Sequence, residues 1–117
     1  MKTIFIVDDS DTNLATAEEA LEDDFNVMTV PSAAKMFALL EKIKPDLILL
    51  DIEMPEMNGF EALERLKASN WSDIPVVFLT GTKNAQIEER SVALGAIDII
   101  TKPFSPSSLL EQINKHI

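Results

Sequence analysis

Cysteine is absent from the 117 residues, which removes disulfides, thiolate metal sites and cysteine nucleophiles. Basic residues are scarce: ten Lys and Arg stand against twenty Asp and Glu, for a net charge of −10. A chain so charged repels phosphate backbones, so nucleic-acid binding by this domain is not expected. Solubility accounts for most of the excess acid, unless some of it clusters to hold a cation. There are only three glycines, and no glycine-rich phosphate loop or aromatic platform that would favour a flavin. No apolar run approaches the roughly 18 residues that a membrane helix needs. The opening Met1-Lys2-Thr3-Ile4-Phe5-Ile6-Val7 has the look of a signal peptide, but its short apolar part ends in two aspartates, so it is not read as one. The expected location is cytoplasmic, with no membrane partner. The one tryptophan, Trp71, falls in the polar connection Ala68 to Asp73 and reads as a partly buried loop residue. The one histidine, His116, is next to the last residue and is given no catalytic role.

Apolar residues make up 46% of the chain, enough for a real core in one domain over residues 1–117. Its centre is Pro45-Asp46-Leu47-Ile48-Leu49-Leu50-Asp51-Ile52-Glu53-Met54-Pro55-Glu56-Met57-Asn58-Gly59. Leu47 to Leu50 is a short unbroken apolar run, as in a strand buried on both faces. It ends in the carboxylate of Asp51, and Pro55 and Asn58-Gly59 then mark a loop. In chain order, strands are expected at Lys2 to Val7, Phe25 to Val30, the central run, Pro75 to Leu79 (ending in Thr80), and Ala96 to Thr101. Helices fill the gaps. The first runs from Thr12 to Glu22 with Leu14, Ala17 and Leu21 inward. The second starts at Pro31-Ser32, with Met36, Leu40 and Ile43 inward. The third follows Gly59 with Phe60, Leu63 and Leu66 inward. The fourth, Asn84 to Leu94, has only a thin stripe of Ile87, Val92 and Leu94, so it is held loosely. The fifth begins at Ser105-Pro106, with Leu109, Leu110, Ile113 and Ile117 inward. Strands alternating with helices predict an α/β fold: a five-stranded parallel sheet, doubly wound as (βα)5 with right-handed crossovers.

In a parallel sheet the strand C-termini share one edge, where ligands bind. Asp8-Asp9, Asp51, Thr80 and Lys102 all fall at such ends. Taken singly, each has a bland reading: Asp8, Asp9 and Asp11 as helix caps, Thr80 as a turn residue, Lys102 as a solvated lysine. Together they describe chemistry. Three carboxylates close together repel unless a cation lies among them. Hard oxygen ligands with waters retained favour Mg²⁺. A metal-bound carboxylate facing a lysine and a hydroxyl suits phosphoryl transfer, with the carboxylate as nucleophile. Glu53 and Glu56 read as solvated loop acids, with the Glu53 side chain placed to tune hydrolysis of a phosphoryl group. Met54 and Met57 read as loop packing.

The whole chain resembles the receiver domain of two-component response regulators. The resemblance rests on Val7-Asp8-Asp9-Ser10, Leu49 to Gly59, Leu79-Thr80-Gly81, and Gly95-Ala96 with Thr101-Lys102-Pro103-Phe104. It implies the flavodoxin-like strand order 2-1-3-4-5, which puts Lys102 roughly 10 Å of sheet from Asp51 at about 4.8 Å per strand. It also implies roles. Asp51 takes a phosphoryl group from a histidine kinase or phosphotransfer protein. Asp9 and Asp51 ligate Mg²⁺, Asp8 acts through water, and the Glu53 backbone carbonyl is a further ligand. Thr80 donates to the phosphoryl group, and Lys102 pairs with its oxygens across a cis bond to Pro103. The phosphorylated form then changes its surface around the fourth helix and fifth strand for an output domain or protein that the sequence does not name. Such a domain catalyses only its own phosphorylation and dephosphorylation.

One position departs from the family. Ile99 stands where a ring is usual, which is smaller and stiff at χ1. The site chemistry is expected to survive, with coupling running through Thr80 and the fourth helix. Two other functions fit some of these residues: a receiver-like partner-binding domain without phosphorylation, and an aspartate-nucleophile phosphatase of the haloacid dehalogenase type. The latter carries an aspartate two residues after its nucleophile; Glu53 stands there.

Overall fold

The computed structural model describes residues 1–117. Strands β1 (Thr3–Val7), β2 (Asn26–Val30), β3 (Leu47–Asp51), β4 (Val76–Thr80) and β5 (Asp98–Thr101) alternate with helices. These are α1 (Asp11–Leu21), α2 (Ala33–Leu40), α3 (Gly59–Lys67), α4 (Ala85–Leu94) and α5 (Pro106–Asn114). All four strand pairings are parallel, in the order β2-β1-β3-β4-β5. The expected fold class and order are both present.

Every residue of β3 and β4 is buried, as an apolar run covered on both faces requires. Strand periodicity sorts the core into two layers. Phe5, Val7, Ile48, Leu50, Val76 and Phe78 face Met36 and Leu40 of α2 and Phe60, Leu63 and Leu66 of α3. Ile4, Ile6, Leu47, Leu49, Val77 and Leu79 face Leu14, Ala17 and Leu21 of α1 and Leu109 and Ile113 of α5. Each helix begins at an N-cap whose side chain accepts a backbone N–H: Ser10, Ser32, Asn58, Asn84 and Ser105. Ser10, rather than Asp11, therefore caps α1. Trp71 is partly buried, as expected, its ring 6.2 Å from that of Phe37. Met54 and Met57 pack on the core layer shared with α3.

Helix α4 is the exception. Its only buried residue is Ser91, whose hydroxyl donates back to the Ile87 carbonyl at 2.7 Å. Val92, expected inward, is 73% exposed. It lies five residues past Ile87, about 140° around the helix, and so leaves the inward stripe. Ile87 and Leu94, also expected inward, pack partly buried on the α2–α3 layer, and the Arg90 guanidinium lies 4.3 Å from the Phe60 ring centroid, with Phe60 in turn meeting Phe78 edge-on. Gly95 ends α4 at φ 95°, a left-handed C-cap.

Gly59 fixes how α3 sits at the end of β3. A Cβ there would lie 2.5 Å from the Asp51 carbonyl oxygen and 2.8 Å from the Ile52 Cα. Only glycine lets the Gly59 N–H reach the Ile52 carbonyl at 2.8 Å. Asn58 and Glu61 close a capping box on the same turn. The loop carrying Glu53 is thus anchored at both ends.

Candidate functional site

The strand C-termini meet at one edge, as the topology demands. Asp8 follows β1, Asp51 ends β3, Thr80 ends β4 and Lys102 follows β5. Asp8, Asp51 and Thr80 are fully buried, whereas Asp9 is exposed. The Lys102 N–H donates to the Thr80 carbonyl at 2.7 Å, which carries the β4–β5 pairing one residue further. The Lys102–Pro103 bond is cis, as expected.

Asp51 Oδ1 accepts from Lys102 Nζ at 2.9 Å and from the Glu53 N–H at 3.2 Å. The lysine stem thus spans the intervening strand. Its ammonium is also 3.5 Å from Asp8 Oδ2, close enough for attraction but long for a hydrogen bond. Asp8 Oδ1 accepts from the Ser10 N–H at 2.9 Å. The other oxygens, Asp8 Oδ2 and Asp51 Oδ2, are buried and accept no hydrogen bond. Buried carboxylate oxygens are rarely left so, because desolvation is then uncompensated.

Carboxylate oxygens of Asp8, Asp9 and Asp51 lie within 4.8 Å of one another. Two orphaned oxygens inside an oxygen-only triad fit a hard divalent cation that keeps part of its water shell, the preference of Mg²⁺. The electrostatics agree. Burial, opposed by the Lys102 hydrogen bond and reinforced by the Asp8 charge, raises the Asp51 carboxyl to about 7. Burial alone lowers Lys102. The hydrogen bond to Asp51 and the charges of Asp51, Asp8 and Glu53 outweigh it and hold the ammonium above the ordinary lysine value.

Glu53 is an exposed loop acid, as expected, but its side chain is engaged rather than free. Its Oε1 accepts from the Thr80 hydroxyl at 2.9 Å and from the Gly81 N–H at 3.0 Å. The Thr80 hydroxyl also faces the Thr82 carbonyl at 2.9 Å and accepts from the Thr82 N–H at 3.1 Å. Only the spacing to Asp51 hinted at this; the contact needs β3 and β4 side by side. Glu56 is exposed, as expected, and takes a positive φ of 67° in the loop before α3. Ile99 is half-buried against the core layer that α2 and α3 cover. His116 meets Asp98, Nε2 to Oδ2, at 2.9 Å.

The response regulator receiver domain family matches residues 4–114. The chain is a response regulator receiver domain. Protein PilH of Pseudomonas aeruginosa is 38% identical over 97% of this chain and 96% of its own length. A probable cyclic di-GMP phosphodiesterase of Vibrio cholerae is 37% identical over 98% of this receiver, which spans 26% of that protein. The receiver spans half the length or less of most of the curated relatives it matches. Among solved structures, the chemotaxis response regulator CheY4 of Vibrio cholerae superposes with a TM-score of 0.93 at 27% identity, covering 100% of this chain and 99% of its own. Receiver domains take phosphoryl groups from histidine kinases, bind Mg²⁺ at an acidic pocket and act on output domains; as a class they are not themselves enzymes. No helix of this receiver is long and apolar enough to cross a membrane.

Proposed function

We propose that Asp51 is the phosphoacceptor of a single receiver domain spanning residues 1–117. The observation that carries this is the division of labour on its carboxylate: Oδ1 is held by Lys102 and Glu53, and buried Oδ2 has no partner. An Asp51 oxygen forms the new P–O bond as the P–N bond of a donor phosphohistidine breaks. The electron pair leaves with the imidazole, and the product is an acyl phosphate on Asp51. Lys102 pairs with the phosphoryl oxygens, and the Thr80 hydroxyl donates to one of them. Asp9 and Asp51 would hold Mg²⁺, with Asp8 acting through water and the Glu53 backbone carbonyl as a further ligand. When bound, the ion supplies positive charge against the phosphoryl oxygens.

The domain acts on no separate substrate; its only catalysis is its own phosphorylation and dephosphorylation. The donor is a histidine kinase or phosphotransfer protein in the cytoplasm. Neither nucleic acid nor membrane is a partner of this domain. The readout is a shift of the α4 and β5 surface, supported by how little of α4 is buried.

The test is intact mass after incubation with Mg²⁺ and acetyl phosphate, for wild type and Asp51→Asn. A gain of one phosphoryl group in wild type alone is expected. No gain with the fold intact and Mg²⁺ bound would replace this reading with partner binding. Sustained phosphate release from varied phosphomonoesters would replace it with a phosphatase.

A further inference from the structure

We propose that the Glu53 carboxylate is a built-in stand-in for the phosphoryl group, occupying the two donors at the end of β4 until Asp51 is modified. The proposal rests on Asp51 as the acceptor and concerns what its modification must displace. Two donors at the end of β4, the Thr80 hydroxyl and the Gly81 N–H, converge on one anionic oxygen of Glu53. Thr80 is fully buried and cannot turn to solvent. A hydroxyl has one proton, so Thr80 gives it either to Glu53 or to the Thr82 carbonyl, both 2.9 Å away. The charged acceptor is the stronger. A phosphoryl oxygen on Asp51 needs the same hydroxyl.

Glu53 starts two residues from Asp51, so its carboxylate reaches Thr80 from the same strand end as the phosphoryl group. A phosphoryl group carries a charge of about −1.5 to −2. It repels Glu53 and outbids it for Thr80. Phosphorylation therefore exchanges one anion for another at the end of β4 and frees a carboxylate on a residue that is already exposed. Two consequences follow. The Thr80–Thr82 segment is already ordered before phosphorylation. Glu53 also slows phosphorylation, because its two hydrogen bonds must break first.

The experiment pairs amide exchange at Gly81, in the unphosphorylated protein, with the rate of mass gain from acetyl phosphate at saturating Mg²⁺. Glu53→Ala is expected to speed Gly81 exchange about tenfold, the loss of a hydrogen bond to a charged group. It is also expected to phosphorylate roughly three- to tenfold faster. Simple loosening of the loop would lower that rate. Glu53→Gln keeps the acceptor oxygen without the charge and falls between the two on both measures. Equal Gly81 exchange and an equal or lower rate in Glu53→Ala would overturn the proposal. So would a Glu53→Gln rate as high as that of Glu53→Ala with Gly81 still protected, since charge alone would then explain it. A wild type that takes no phosphoryl group overturns the Asp51 assignment and this inference together. A phosphorylated wild type with an unchanged Glu53→Ala overturns this inference alone.

Discussion

Replacing Asp51 by Asn is expected to stabilise the metal-free domain, and to do so only above the ordinary aspartate range. Burial raises the Asp51 carboxyl from 3.8 to about 7. A raised folded value means that this group's contribution is fully present below about 4 and is lost as pH climbs through about 7. In that window the unfolded chain ionises freely and the folded one resists. The gap corresponds to about 4 kcal/mol for an isolated group. Asp51 shares its titration with Lys102 and Asp8, so the realised difference is about 2–4 kcal/mol. Asparagine carries no charge and escapes the loss. Urea unfolding in EDTA should therefore give nearly equal stabilities for the two proteins at low pH, with the gap opening to about 2–4 kcal/mol in favour of Asp51→Asn at pH 8. Mg²⁺ should close most of that gap, because an ion bound only by the native wild type adds about 2.7 kcal/mol at a hundred times its Kd. A gap that stays flat with pH, or a less stable Asp51→Asn at pH 8 in EDTA, would refute the reasoning.

Millimolar Mg²⁺ should raise the Tm of wild type by several degrees, and Asp9→Ala should abolish the rise, as read by calorimetry. An equal rise in both would remove Asp9 from the ion site. Gly59→Ala should cost about 1–3 kcal/mol in urea unfolding, because the added Cβ meets backbone that cannot move aside. Lys102→Met removes the hydrogen bond and charge that oppose burial at Asp51. Its carboxyl should then titrate above the wild-type value of about 7 in carboxyl NMR without Mg²⁺, and mass gain from acetyl phosphate should fall about a hundredfold.

The core faces of α1 and α3 were legible as three apolar residues at helical spacing, and each of those side chains is buried. The same pattern failed for α4. Val92 looked equivalent to Ile87 but sits outside the stripe, and the helix is held by the partly buried Ile87 and Leu94 together with Arg90 on Phe60. Strand five begins at Asp98, not at Ala96. Ala96 first closes the end of α4 through the Ser91 carbonyl, and only Ile97 reaches toward β4. Residues there face a choice between two sets of backbone partners, which periodicity does not resolve.

Local sequence dictates the alternation of strands and helices, and that acids, a hydroxyl and a lysine stand at the ends of four of the five strands. Those properties are local: they depend on apolar period, caps and breakers within a few residues. Tertiary structure decided which of these groups touch. Lys102 meets Asp51 across 51 residues of chain, and Thr80 meets Glu53 across 27. Both contacts follow from strand order and register, which juxtapose side chains that no local pattern links. The same packing removes water from Asp8 and Asp51 and leaves one oxygen of each without a partner. Desolvation is a property of the assembled edge, so the raised carboxyl of Asp51 and the grip of Glu53 on the end of β4 arise only once the sheet is built.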